Sequence, residues 1–173
     1  MALSTIGQNS LSQSRILTPA NVPSGSVIGI SYFENATRTV YSTTPVDFFG
    51  TLTMTKNLGS SASYLLINAL IMTKQLWSFA NNIYVVVNGV TYNGRGGWID
   101  TANSGTNSSG FTRGIPLGPL KIPGVAAGSV NIGVYWTNAD GTAISALTLN
   151  PNSSDDTRYN QQVSSIQISE IAI

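Results

Sequence analysis

The chain has 173 residues, eight basic and seven acidic side chains, a formal net charge of +1, and neither cysteine nor histidine. The missing cysteine excludes disulfides, thiolate metal sites and cysteine nucleophiles, and the missing histidine removes the commonest acid–base group and metal ligand. Charged residues make up 9% of the chain, against roughly a quarter in ordinary globular proteins. The surface is therefore either covered by other subunits or built from hydroxyl and amide groups.

Apolar residues make up 42% of the chain, enough for one domain with a sizeable core. Residues 1–25 read as an extended arm. Leu3, Ile6, Leu11, Ile16, Leu17 and Val22 are sparse apolar pegs among Ser, Gln, Asn and Thr, and Pro19 and Pro23 enforce extended backbone. Such pegs suit an anchoring arm that clasps a neighbouring subunit. The start has no basic stretch followed by an apolar one, so no secretory signal is expected. No apolar run is long enough to span a bilayer, so no membrane partner is expected.

From Ser26 the texture is that of strands. "SVIGISYF" (26–33) is the first and "TRTVYST" (37–43) the second, with Thr39 and Tyr41 on one face. "VDFFGTLTMT" (46–55) places Val46, Phe48, Leu52 and Met54 on one side at period two, with Gly50 marking a bulge or a close backbone approach. "SYLLINALIM" (63–72) is apolar on both faces. A helix fits that pattern too, but the flanking turn residues and the β-rich context favour a covered strand. In "IYVVVNGVTY" (83–92), Asn88-Gly89 between β-branched runs is a type I′ hairpin signature.

Residues 93–114 read as a long Gly/Asn/Ser loop. Its Arg95, Trp98, Asp100, Phe111 and Arg113 make it a candidate glycan or subunit contact, since an aromatic face stacks on a sugar as readily as it fills an interface. "IPLGPLKIPG" (115–124) carries three prolines and suits an edge strand or connector. "SVNIGVYWT" (129–137) alternates, with Val130, Ile132, Val134 and Trp136 inward and Asn131, Gly133 and Tyr135 outward. "AISALTLN" (143–150) and "VSSIQISEIAI" (163–173) complete the series. Regular strands separated by Gly, Pro and Asn turns predict an all-β antiparallel sandwich, a jelly roll in preference to an immunoglobulin-like one, spanning 26–173.

No catalytic constellation is legible. The seven carboxylates are scattered and mostly in turn-like segments. Asp140-Gly141 and Asp155-Asp156 read as turn formers, and neither an Asp100/Asp140 glycosidase pair nor a calcium site at Asp155 and Asp156 has supporting spacing. "NGRGG" lacks the spacing of a phosphate loop. The basic residues form no stripe, so nucleic acid is not an expected partner. The chain reads as a non-enzyme without cofactor or metal.

The opening "MAL", the Ser/Gln-rich "GQNSLSQSRI", the turn "VPSGSVI" and the closing "SSIQISEIAI" resemble small structural proteins of tailed bacteriophages, those of marine and cyanobacterial phages in particular. The resemblance covers about 25 residues at the start and about 10 at the end. It implies a β-sandwich body, a homotrimer, and an arm reaching across neighbours in the virion, after synthesis in the host cytoplasm. The implied role is a capsid decoration or cement protein bound to the major capsid protein or another virion subunit. The alternative is a tail-fibre, tail-tip or adaptor protein that binds a host-surface glycan. The chain lacks a repetitive shaft, which favours the decoration role. No residue takes a function from the resemblance.

Overall fold

The computed structural model describes residues 22–41, 45–75, 79–99, 111–138, 147–154 and 161–173. The arm pegs Leu3, Ile6, Leu11, Ile16 and Leu17 lie outside them, as do Asp100, Asp140, Asp155 and Asp156.

The described residues form eleven strands. They are β1 (Val27–Asn35), β2 (Thr39–Tyr41), β3 (Val46–Asp47), β4 (Leu52–Lys56), β5 (Ser63–Gln75), β6 (Phe79–Val87), β7 (Val90–Ile99), β8 (Phe111–Ile122), β9 (Gly128–Asn138), β10 (Leu147–Leu149) and β11 (Ser164–Ala172). All pairings are antiparallel. One sheet runs β1-β11-β5-β8. The short β10, with β2 beside it, continues the β11 flank of β5 past Leu70. The other sheet runs β4-β9-β6-β7, with β3 sharing the β4 flank of β9. If the short β2, β3 and β10 are set aside, the first, eighth, third and sixth strands face the second, seventh, fourth and fifth. This is the jelly-roll order, built from two Greek keys.

Period-two alternation explains the core. Leu65, Ile67, Ala69 and Ile71 of β5 and Ile166 and Ile168 of β11 point inward from the first sheet. They meet Ile83, Val85 and Val87 of β6 and Val130, Ile132, Val134 and Trp136 of β9. Trp136 is fully buried, as its face predicts, and its indole N–H has no partner among the described residues. Asn88 and Gly89 join β6 to β7 with φ of 47° and 82°, the left-handed backbone that a type I′ turn requires.

Two segments depart from the sequence reading. The 46–55 run is not one strand. The Asp47 carboxylate accepts hydrogen bonds from the Phe49 and Gly50 N–H groups at 3.2 and 2.9 Å, and Gly50 has φ of 70°, so the chain bulges out at the expected Gly50 between β3 and β4 before rejoining the same flank of β9. The 93–114 loop is shorter than expected, because β7 continues to Ile99 and β8 starts at Phe111. Cross-strand pairing with Phe79–Ile83 holds Arg95–Ile99 in the sheet despite the glycines.

The proline-bearing segment 115–124 does occupy an edge. Among the described residues β8 pairs with β5 alone, and it contains Pro116 and Pro119, whose missing N–H groups are tolerated there. Its register shifts between Ile67 and Ala69 of β5, opposite Gly118. Gly118 has φ of 104°, and a Cβ there would collide with the Ile67 carbonyl oxygen. Gly118→Ala is therefore expected to lower the unfolding free energy by at least about 1 kcal/mol in denaturant titration. The same substitution at Gly59, where a Cβ has open space and φ is not left-handed, is expected to change it by less than about 0.5 kcal/mol.

Candidate functional site

Charged side chains point into the sandwich at one end, where β4 leaves one sheet and β5 enters the other. Lys56 continues the inward face of Leu52 and Met54, and Glu170 continues that of Ile166 and Ile168. Both side chains are 0% exposed, with Nζ 3.7 Å from Oε1. Lys56 Nζ donates to the Leu58 carbonyl at 2.5 Å, the Gly59 carbonyl at 3.2 Å and Ser63 Oγ at 2.6 Å, which uses all three of its protons. Ser63 Oγ donates in turn to Glu170 Oε1 at 2.7 Å. Glu170 also accepts from the N–H of Leu58 at 2.8 Å, and from the N–H and Nδ2 of Asn57 at 2.7 and 3.0 Å.

Burial pushes the Glu170 carboxyl up, but the Asn57 and Leu58 N–H groups, with Ser63 and the Asn57 amide, hold it below its ordinary range. Burial pushes the Lys56 ammonium down, and Glu170 opposes that only in part. A lysine beside a serine hydroxyl has the composition of a Ser–Lys nucleophile pair. Here the serine proton is committed to Glu170, the amine is saturated as a donor, and all three side chains are buried. The cluster is a plug that joins the two sheets.

A second polar hub lies at the other end of β11. Asn150, fully buried with φ of 49°, accepts at Oδ1 from the Ser164 N–H and Oγ at 2.9 and 2.6 Å. It donates Nδ2 to the Thr37 carbonyl at 3.1 Å and its own N–H to the Met72 carbonyl at 2.8 Å. Ser164 Oγ accepts the Met72 N–H at 2.9 Å. One side chain thus ties β5, β11, the end of β10 and the β1–β2 connection together.

On the outward face of the other sheet, Tyr84 and Tyr135 stack with ring centroids 5.4 Å apart and planes at 19°. The Tyr135 ring occupies the space a Cβ on Gly133 would fill. Burial, then Asp47 and Tyr84, raise the Tyr135 hydroxyl above its ordinary range, so it stays protonated and offers no base at neutral pH.

Of the arm residues singled out in the sequence, Val22 is described. It is half-buried and precedes a turn closed by the Ser26 N–H on the Pro23 carbonyl at 3.1 Å. Gly25 N–H donates to Ala172 O, and Ala172 N–H donates to Ser26 O, each at 2.9 Å, so the residues just ahead of β1 are stitched to the end of β11. Of the contact-loop residues, Arg95 and Trp98 lie on β7 opposite Ile83 and Ala80, and Phe111 and Arg113 lie on β8 opposite Gln75 and Thr73. Arg95 and Trp98 thus stand on one sheet and Phe111 and Arg113 on the other, with Asp100 outside the described residues. Among the described residues no group of three or more acidic side chains is placed to hold a metal. The sequence reading missed Lys56 and Glu170, although parity with their apolar neighbours marks both as inward.

No family model matches the chain, and no curated protein matches it. Solved structures show a partial likeness. A chain of the T13 particle of infectious bursal disease virus is 10% identical with a TM-score of 0.42, over 85% of this chain and 38% of that one. A chain of T=1 particles derived from the same virus is 10% identical with a TM-score of 0.42, over 85% and 39%. Dimeric latent PorU from Porphyromonas gingivalis is 9% identical with a TM-score of 0.39, over 90% and 14%. The chain spans about two fifths of the length of those virus chains.

Removing one partner of a buried, hydrogen-bonded ion pair strands the other, so Glu170→Gln is expected to cost about 3–5 kcal/mol of unfolding free energy. The pH dependence follows from the depressed Glu170 carboxyl. Its stabilisation is complete above its ordinary value of 4.5 and is lost as pH falls through the lower folded-state value. Lys56 adds no slope in acid, being protonated in both states there. Urea titrations from pH 6 down to pH 2 are expected to show stability falling below pH 4.5 more steeply in the parent protein than in Glu170→Gln.

Proposed function

We propose that the chain is a structural virion subunit, a decoration or cement protein whose jelly-roll body is mounted on the particle through residues 1–21. The observation that carries this reading is the root of the arm. Paired hydrogen bonds hold Gly25 and Ser26 to Ala172, so the segment that follows residues 1–21 is fixed to an interior strand of the body. The body has the economy of a passive module. Its buried charged pair and its buried Asn150 and Ser164 are consumed in holding strand ends together. A low surface charge permits dense packing of copies without mutual repulsion. The pegs Leu3, Ile6, Leu11, Ile16 and Leu17 supply apolar burial on a capsid or neighbouring subunit. Each copy adds a modest free energy, and the shell resists internal pressure through the sum.

The test is truncation after Asn21, which spares the root. The shortened chain is expected to melt within a few degrees of the full chain and to lose co-sedimentation with particles of the cognate virus. Undiminished co-sedimentation of the truncated chain overturns the proposal.

A further inference from the structure

The four sides of the sandwich are not treated alike. An open sheet edge presents unpaired N–H and C=O groups to any other strand, and proteins guard such edges with proline, lysine, bulges or short strands. On β8 the guards are Pro116, Pro119, Lys121 and a register shift. On β7 they are three glycines and a register shift against β6. The β3/β4 side has strands of two and five residues, the second ending in Lys56.

The fourth edge, β1, is long and carries no proline, lysine or arginine. Its pairing with β11 is regular from Gly29 to Asn35, the one shift lying before Gly29. Its outward-facing side chains include Ile30, 61% exposed, and Tyr32, 58% exposed. Beyond β11, its main chain has no strand partner among the described residues.

We infer that β1 is a self-pairing edge, along which a second copy of this chain adds its own β1 antiparallel to make one continuous sheet across a two-fold axis. The sequence of the strand selects this occupant. Full overlap of the regular span 29–35 with itself centres on Tyr32, which then lies opposite Tyr32 of the partner subunit. Aromatic pairs directly across a strand pair are favourable. The same register sets Ile30 opposite the partner's Glu34 and Ser31 opposite the partner's Phe33, and no like charges face each other. Each Tyr32 hydroxyl donates to the Glu34 carboxylate of its own chain at 2.8 Å, leaving the ring face free for its counterpart. A net charge of +1 offers little long-range repulsion between two copies. The contact is two-fold where the phage resemblance implies three-fold. It is independent of the virion reading, since it uses no residue of 1–21.

Sedimentation equilibrium of the full chain is expected to give twice the 18.2 kDa chain mass. Tyr32→Lys, which opposes two like charges at the axis, is expected to halve it with unchanged circular dichroism and melting. Because the protein has no cysteine of its own, Tyr32→Cys is expected to oxidise to a disulfide-linked dimer in high yield, while Val90→Cys at the exposed β6–β7 turn does not. A monomeric parent chain, or a parent dimer whose mass survives Tyr32→Lys, overturns the proposal. Equal cross-linking at positions 32 and 90 overturns it as well. A dimer that survives Tyr32→Lys but is lost on removing residues 1–21 assigns the contact to the arm and likewise overturns it.

Discussion

The buried Lys56–Ser63–Glu170 cluster is the constraint from which the closed end of the sandwich follows. A jelly roll has to pass its chain from one sheet to the other several times, and each passage leaves main-chain groups without a ladder. At the β4–β5 crossing those groups are the Asn57 and Leu58 N–H and the Leu58 and Gly59 C=O. Glu170 takes the donors and Lys56 takes the acceptors. The ion pair is not favourable merely for being an ion pair, since desolvation offsets much of its Coulomb attraction. Its value lies in supplying both signs of hydrogen-bonding capacity at a point where no strand can do so. An apolar replacement of both side chains would fill the volume and orphan the loop.

The Asn150 hub applies the same logic with neutral groups. Its side chain offers one acceptor and one amide to two segments far apart in sequence, Thr37 and Ser164. Its left-handed φ of 49° is a conformation that asparagine tolerates better than most residues. With an ionic plug at one end of β11 and an amide hub at the other, the strand is fixed lengthwise as well as laterally. Gly25 and Ser26 are hydrogen-bonded to that fixed strand, so the chain ahead of β1 is held to the interior of a sheet rather than to its edge.

Period two made most of the body legible in the sequence. The inward faces of β5, β6 and β9, the Asn88-Gly89 turn and the proline-bearing edge all follow from it. The failures share a cause. Parity is read above only for apolar residues, so Lys56 and Glu170, which obey the same alternation, are not marked as inward. The split between β3 and β4 depends on one carboxylate turning back onto two N–H groups, a local competition that alternation does not register. The glycine-rich end of β7 has poor strand propensity and is held by its partner strand, which a single-sequence reading does not supply. Asn150 and Ser164 meet only because β10 and β11 flank the same strand, a fact of topology rather than of local sequence.

Low charge and unequal edges bear on each other. A chain with so few charges has few lysines and glutamates to spare for guarding strand edges. The guards that exist are mostly prolines, glycines, bulges and short strands, with Lys121 on β8 the exposed charge among them. They protect the sides of β8, β7 and β4. On β1 proline, lysine and register shifts are absent over the seven regularly paired residues 29–35, which hold one glycine, Gly29, and one charge, Glu34, and two of the most exposed large apolar side chains among the described residues, Ile30 and Tyr32, sit there. If every edge were equally poorly guarded, low charge alone would account for β1. Because proline, register shifts and short strands, which need no charge, guard the other three, and those means were available to β1 as well, the opening is a property of that edge and not of the composition. Among the described residues, a module with both ends of β11 plugged, three edges guarded and one without a strand partner has a single direction in which its sheet can grow.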